Sequence, residues 1–237
     1  MVILGIDSSA VSASAAIVKD GKLLSRAFLN VGLTHSVTLL PLVRQAVEGA
    51  GLTADEIDAV AVTNGPGSFT GVRIGVATAK GIAQPTDKKC IPVSTLEAIA
   101  YPLKDSDCIA VSVMDARCNQ VYCALFDCIN GEMTRITDDD ALSLDSLGEM
   151  LKKYDDKYII LIGDGADISF AYLKDRLPSI RKASSLIKYQ NASSVALIGY
   201  EKLLNNDNIK SPDELVPSYL RLSQAERELK KKKEQDK

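Results

Sequence analysis

The chain opens with short apolar runs that are separated by turn residues. Residues 2–6 predict a buried strand, and two further runs, 12–19 and 22–29, flank the dipeptide Asp20-Gly21. Asp-Gly between two such runs is a strong signal for a β-hairpin. The pattern therefore predicts three strands in an antiparallel meander at the start of the chain.

A helical pattern follows over residues 35–50, where Thr34 can cap the first turn and Gly51 can end the last. Residues 57–62 predict a fourth strand, which the helical crossover places parallel to an earlier strand. The apolar residues of the helix cover more of its circumference than one stripe needs: Val37, Leu39, Leu40, Leu42, Val43, Ala46 and Val47. Such a helix needs more than one partner surface. It is either buried within its own lobe or exposed on one side to another subunit.

The stretch 63–81 predicts the end of a strand, a Gly-rich turn and a second helix, which Ser68 or Thr70 can cap. A helix N-terminus behind such a turn favours anions, so phosphate binding is one interpretation. Small residues also recur every four positions and leave one helix face without bulk: Gly71, Gly75, Ala79 and Ala83. The second interpretation is close packing of this face against the chain's own first helix or a partner's helix, and the residue types favour it.

The same order of elements then occurs again. Residues 108–115 form an apolar strand that ends in Asp, and Asn130-Gly131 gives a second hairpin signal. Two copies of one α/β unit predict two pseudo-symmetric lobes, at 1–104 and 105–191. We expect a helix within 192–223, at about 193–204, to pack back on either lobe together with a strand-like segment, and 224–237 to be a charged tail. In this reading the last helix has no counterpart in the repeat.

Composition narrows the classes of function. The chain has 237 residues, 46% apolar and 25% charged, with a formal net charge of −3, which predicts neither a basic nucleic-acid face nor a membrane-binding surface. Without a signal pattern or membrane span, we expect a cytoplasmic protein. The five cysteines lack metal or redox spacing, so buried reduced thiols are expected. His35 is the only histidine, which excludes His-pair metal sites and weakens Ser-His and Cys-His mechanisms.

Candidate chemistry lies where the first strand of each unit ends. Asp7-Ser8-Ser9, with Asp115-Ala116-Arg117 as its counterpart, could face a phosphate or a metal, but Asp and Ser are also common turn formers. We single out six candidates for a vestigial phosphate-facing site: Asp7, Ser8, Ser9, Gly65, Gly67 and Ser68. No convincing acid–base pair or metal triad is present, so no catalytic or metal-binding residue is assigned.

The sequence also resembles a known family. The motif Gly65-Pro66-Gly67-Ser68-Phe69-Thr70-Gly71-Val72-Arg73-Ile74-Gly75, followed by Ala79-Lys80-Gly81, is similar to the signature of the bacterial TsaB (YeaZ) family, which acts in making threonylcarbamoyladenosine in tRNA. Further matches lie at 5–9, 35–36, 40–41, 93–98, 114–117 and 217–221, so the resemblance covers almost all of 1–223. It implies an α/β chain with the two-lobed duplicated actin/Hsp70/sugar-kinase-like (ASKHA, ribonuclease-H-like) fold.

The resemblance implies a non-catalytic subunit. The catalytic relative TsaD carries a His-x-x-x-His metal pair where this chain has Thr95 and Ile99, and the same difference argues against a metalloprotease. The implied partners are TsaD, bound as a heterodimer through both first-lobe helices, TsaE in the larger complex, and a second copy when TsaD is absent; tRNA would be contacted only indirectly. No cofactor is required, with ATP and Mg²⁺ entering only at the level of the complex. The expected contact residues are Val37, Leu40, Val43, Arg44, Val47, Val72, Arg73, Gly75, Val76 and Ala79.

Two other functions stay open at this stage. An ATP-dependent phosphotransferase of the same fold would use Asp7-Ser8-Ser9 and the Gly-rich turn. Direct tRNA binding would need a basic stripe, and only the run 230–233 comes close to one.

Overall fold

The chain forms two mixed β-sheets flanked by helices in a computed structural model that describes residues 1–117 and 119–220. The first unit contains β1 (Val2–Asp7), β2 (Ala13–Lys19), β3 (Lys22–Leu29), α1 (His35–Gly49), β4 (Ala59–Gly65), α2 (Phe69–Ala83), β5 (Lys89–Ser94) and α3 (Thr95–Ala100). The second contains β6 (Cys108–Asp115), β7 (Gln120–Ile129), β8 (Glu132–Arg135), β9 (Asp140–Ser143), α4 (Leu144–Leu151), β10 (Ile159–Ile162), α5 (Ala166–Leu173), β11 (Ile180–Lys182) and α6 (Ala192–Leu204).

The two sheets share one topology, which confirms the predicted repeat. The strand orders are β3-β2-β1-β4-β5 and β8-β7-β6-β10-β11, with β9 paired to β7. In each sheet the first three strands are antiparallel and the last two run parallel to the first. Both hairpin turns hold two successive residues at positive φ, at 49° and 75° for Asp20-Gly21 and at 54° and 78° for Asn130-Gly131. This is the geometry for which Asx-Gly dipeptides are suited.

The first sheet is covered on both faces. Leu4 and Ile6 of β1 pack in one cluster with residues of α1 and α2, whereas Ile3 packs on the opposite face with Val195 and Ala196 of α6. Side chains alternate between the two faces of a strand, so a strand buried on both sides reads as the continuous apolar run seen at residues 2–6.

The third helix of each unit lies on the sheet of the other unit. α3 places Leu96 and Ile99 in a cluster with Met114 and Phe126 of the second sheet, while α6 packs on the first sheet. In chain order α6 is therefore the counterpart of α3, and the expectation that the last helix has no counterpart is wrong. The pattern missed α3 because six residues are too few to display a helical period.

Other differences from the predicted elements are local. Thr34 precedes α1, but its side chain makes no capping hydrogen bond; Ser68 caps α2 by accepting from the N–H of Gly71 at 3.3 Å. Four of the five cysteines are free buried thiols, as expected; Cys118 and the predictions for 221–237, including the charged tail, lie outside the described residues. No helix in the described ranges is long and apolar enough to cross a bilayer.

Candidate functional site

Asp7 is buried at the end of β1, and its two carboxylate oxygens differ in their contacts. Oδ1 accepts hydrogen bonds from the N–H and hydroxyl of Ser9, at 2.9 and 2.8 Å. Oδ2 is buried and has no hydrogen-bond partner in the described part of the chain. Burial raises the pKa of Asp7 to about 6; the Ser9 bonds, the nearby Thr63 hydroxyl, which does not reach hydrogen-bond geometry, and the ring of His35 all lower it.

The equivalent residue of the second unit makes the same local bond. Asp115 Oδ1 accepts from the N–H of Arg117, two residues on, at 2.7 Å. This is an Asx bond, in which the carboxylate satisfies its own backbone. The turn-forming role that the sequence left open is therefore present at the end of both β1 and β6.

The glycines of the turn after β4 are packed against carbonyl groups. A Cβ atom at Gly65 would collide with the carbonyl oxygen of Ser218, and one at Gly67 with that of Ser9. The N–H of Ser68 already donates to the Ser9 carbonyl at 2.7 Å. A phosphate needs N–H donors, whereas these glycines face acceptor oxygens, so they serve close backbone packing.

The small face of α2 also packs on the chain itself. A Cβ atom at Gly71 would collide with the carbonyl oxygen of Ser8, and one at Gly75 would lie 2.7 Å from Ser8 Oγ and 3.5 Å from Val62 Cγ2. Ser8 follows β1 and Val62 belongs to β4. The two glycines thus pack closely on their own sheet, and the prediction of a close helix contact is wrong for them. The rest of the stripe, Ala79 and Ala83, is buried in the cluster that also holds the apolar residues of α1.

One side of α2 contacts residues 211–220, here called the C-terminal strap. Lys80 Nζ donates to the carbonyls of Asp213 and Leu215, at 3.4 and 3.3 Å, and Leu215 is buried in the first-lobe core. Near the start of α2, the Arg73 guanidinium lies 3.8 Å from the centre of the Phe69 ring, and Arg73 Nε donates to the Tyr219 hydroxyl at 2.8 Å. A partner that approaches α2 from this side would therefore meet the strap.

α1, in contrast, has an uncovered apolar side. Val37 and Leu40 are 72% and 59% exposed, and Arg44 is exposed with its guanidinium paired to Glu48 at 2.6 Å. We call Val37, Leu40 and Arg44 the α1 outer face. It adjoins a groove of about 510 Å³ between α1 and β3, which Phe28 also lines. Phe28 is not among the expected contact residues, although it is an apolar residue at an outward position of an edge strand.

The ten expected contact residues separate into two groups. Val37, Leu40, Arg44 and Arg73 are exposed. The other six lie in the first-lobe core, which corrects the expectation that all ten form one surface: Val43, Val47, Val72, Gly75, Val76 and Ala79. Each of these six residues faces the first sheet, because it belongs to the apolar side with which α1 or α2 covers that sheet.

The six candidates for a phosphate-facing site do come together, at the ends of β1 and β4. Asp7, Ser8 and Ser9 are buried, and the turn 65–68 rests against them. Within 1–117 and 119–220, no group of three His, Cys, Asp or Glu side chains is placed to hold a metal ion.

The sequence is similar to proteins of one tRNA modification pathway. A sequence profile described as "TsaD: tRNA N6-adenosine threonylcarbamoyltransferase" matches residues 30–229. A Bacillus subtilis (strain 168) protein described as "tRNA threonylcarbamoyladenosine biosynthesis protein TsaB" is 30% identical over 227 residues, which cover 95% of this chain and 96% of the relative.

Two solved structures show the fold. The structure described as "YeaZ from Pseudomonas aeruginosa" superposes with a TM-score of 0.74 at 23% identity, covering 92% of this chain and 99% of that one. A ROK hexokinase from Thermus thermophilus gives a TM-score of 0.50 at 12% identity, covering 86% and 100%. Together with the repeated topology, they confirm the duplicated actin/Hsp70/sugar-kinase-like α/β fold.

Proposed function

This chain belongs to the TsaB (YeaZ) family, which acts in tRNA threonylcarbamoyladenosine biosynthesis, and from that premise we propose that it is a non-catalytic subunit that binds and activates TsaD. In this role it holds TsaD in the form that accepts threonylcarbamoyl-adenylate and transfers the threonylcarbamoyl group to the adenosine next to the tRNA anticodon. TsaE joins the larger complex, and tRNA is contacted through TsaD.

The observation that carries the proposal is the α1 outer face. Val37 and Leu40 are exposed aliphatic residues of α1, and the opposite side of this helix is buried in the core. Exposed apolar residues that adjoin an apolar groove are typical of protein interaction sites. The same face would be covered by a second copy of the chain when TsaD is absent.

A separate observation supports the proposal that this chain is a non-catalytic subunit. Thr95 and Ile99, which stand where TsaD has its metal-binding histidines, are 0% and 2% exposed. Ile99 packs in the apolar cluster that joins α3 to the second sheet. Ile99 therefore contributes to packing between the lobes. Neither Thr95 nor Ile99 has a side chain that can bind a metal ion as a His pair does.

The test is co-purification with TsaD of a variant that carries Val37→Glu and Leu40→Glu. Both residues are exposed, so we expect the variant to fold, whereas charges at the centre of an interface should weaken binding about tenfold or more. Val43 and Val47, at 6% and 8% exposure, are unsuitable positions for Glu because a charge there would disrupt the core.

A matched control is Tyr158→Glu, which changes a 71% exposed residue on the second lobe. It should co-purify with TsaD as the wild type does. If the Val37→Glu, Leu40→Glu variant melts at the wild-type temperature and still retains TsaD, the α1 outer face is not the contact.

The phosphotransferase alternative is tested by calorimetry of the isolated chain with Mg-ATP. Because Gly65 and Gly67 face the carbonyl oxygens of Ser218 and Ser9, we expect no heat of binding and no turnover. Micromolar binding together with turnover would favour the phosphotransferase over the assembly role.

A further inference from the structure

A cavity of about 480 Å³ runs beside α6, and Arg26 lines both this cavity and the groove beside the α1 outer face. Its walls are one side of α6 from Ser193 to Glu201, Arg26 of β3, the segment 101–105 after α3, and Leu186 and Ile187 of the segment before α6. We call it the α6 cavity. It takes residues from both units, because α6 packs on the first sheet and leaves a gap beside β3.

The strand register aims Arg26 of β3 at this cavity. Arg26 pairs with Ala16, and Ala16 pairs with Gly5; a Cβ atom at Gly5 would meet Ala192 and Ala196 of α6. Directly paired residues of antiparallel strands point to the same face, so the Arg26 side chain lies on the α6 side, level with the start of that helix. It has no hydrogen-bonding or ion-pair partner among the described residues.

Two serines of the first turn of α6 line the same cavity. Ser193 is 9% exposed, and its Oγ is buried without a hydrogen-bond partner among the described residues. This oxygen is not accessible from the cavity, so other atoms of Ser193 form the wall. Ser194, which is 5% exposed, lies beside it on the cavity wall.

The backbone of this helix start needs no ligand. The N–H of Ala192 donates to Ser14 Oγ at 2.9 Å, and the N–H of Ser193 donates to Asn191 Oδ1 at 2.9 Å. The N–H of Ser194 donates to the Asn191 carbonyl at 3.2 Å. What the site offers is therefore the Arg26 guanidinium and the Ser194 hydroxyl, and not a free helix terminus.

The other charges of the cavity are partly paired with each other. The Glu201 carboxylate accepts from the Tyr101 hydroxyl at 2.6 Å and lies 3.7 Å from Lys104 Nζ, and Asp105 is an exposed acid nearby. Arg26 is therefore the lining cation without an acid partner in the described ranges. Leu186, which is 88% exposed, and Leu197 add apolar surface.

We propose that the α6 cavity binds a small organic anion, a carboxylate or a phosphate monoester on an apolar body. The Arg26 guanidinium binds the anionic oxygens as a two-pronged donor, the Ser194 hydroxyl donates to the same group, and Leu186 and Leu197 cover the body. Because Arg26 also lines the groove beside the α1 outer face, binding of the anion is measured on the isolated chain, without TsaD.

The test is calorimetry of the full chain with phenyl phosphate and benzoate as probes, with inorganic phosphate and phenol for comparison. One of the two organic anions should bind saturably and tighter than inorganic phosphate, and which of them does so identifies the anionic group. Phenol, which lacks a full charge at neutral pH, should not bind.

Arg26→Gln should weaken the binding of the probe about tenfold or more, and Ser194→Ala should weaken it by a smaller factor. Lys22→Gln removes an exposed positive charge from the same strand and should leave the affinity unchanged. The proposal is overturned if neither organic anion binds at millimolar concentration, or if Arg26→Gln, with a wild-type melting temperature, binds as the wild type does.

Discussion

Asp7 is a carboxylic acid that the fold buries at the end of β1 while bonding only one of its two oxygens. Its Oδ1 accepts from Ser9, and its Oδ2 has no partner in the described part of the chain. Removal from water penalises the charged form, so burial is the largest reason that its pKa rises from 3.8 to about 6. The residue type and its place predicted a turn former, but not the burial of its carboxyl group, because the segments that pack against residues 7–9, such as the turn at 67–68, come from distant parts of the sequence.

The raised pKa predicts how stability depends on pH. Because the folded pKa of Asp7 lies above its unfolded value, the folded state binds more protons between pH 4 and 6. This group therefore stabilises the fold as pH falls through that window, and above pH 6 it costs about 2–3 kcal/mol. Asp7→Asn keeps the acceptor for Ser9 and removes the charge, so it should raise the free energy of unfolding at pH 8.

The measurement is urea unfolding of wild type and Asp7→Asn at pH 4, 6 and 8. Exposed acids such as Asp145 and Asp167 have lowered pKa values and lose stabilisation in acid, but they are common to both proteins. The difference between the two proteins should shrink as the pH falls. An equal difference at all three pH values would show that the Asp7 charge is not the cause.

At the scale of elements, α2 carries a stripe of small residues that was correctly noticed and, for its two glycines, wrongly assigned. The spacing of Gly71 and Gly75 predicted a face without bulk, and the structure has one. The backbone at Ser8 and the side chain of Val62 pack against the two glycines; Ser8 follows β1 and Val62 lies in β4, both before α2 in the chain. The residue types show that this face of α2 lacks bulky side chains, but only the fold shows which residues pack against it.

Glycine-to-alanine substitutions in α2 separate packing from helix propensity. Gly71→Ala would place a Cβ atom on the Ser8 carbonyl, so we expect a loss of more than about 2 kcal/mol in unfolding free energy. Gly81→Ala lies in the same helix with no neighbouring atom within 4 Å and should stabilise by up to about 1 kcal/mol. Chemical denaturation of both variants checks this, and equal effects would contradict the packing account.

The elements that were predicted and those that were missed differ in length and surroundings. β1 was predicted from its continuous apolar run, and α1 and α2 from the helical spacing of their apolar or small residues, all close to their observed bounds. β5 was missed because it is short and contains Pro92, which argues against an inner strand; in the structure β5 is the last strand in the order of the first sheet, and its Cys90 forms an isolated bridge to Lys210. β9 and β11 have four and three residues, fewer than an alternating pattern needs.

At the scale of the whole molecule, the exchange of α3 and α6 joins the two units. The duplication was readable from the repeated strand, hairpin and helix order, but the exchange was not, because a repeat in sequence carries no information about which sheet a terminal helix covers. Its consequence is that both faces of the first sheet are covered, by α1 and α2 on one side and by α6 on the other. The exposed apolar residues on α1 are then a feature of the outside of the molecule.

The central claim is that this chain is a TsaD-binding subunit, and the most direct measurement is the mass of the complex formed by the two purified proteins. Light scattering after size exclusion should show a heterodimer for wild type and for Tyr158→Glu, and separate proteins for the Val37→Glu, Leu40→Glu variant. Failure of the wild-type chain to bind TsaD from the same organism at micromolar concentration would contradict the account.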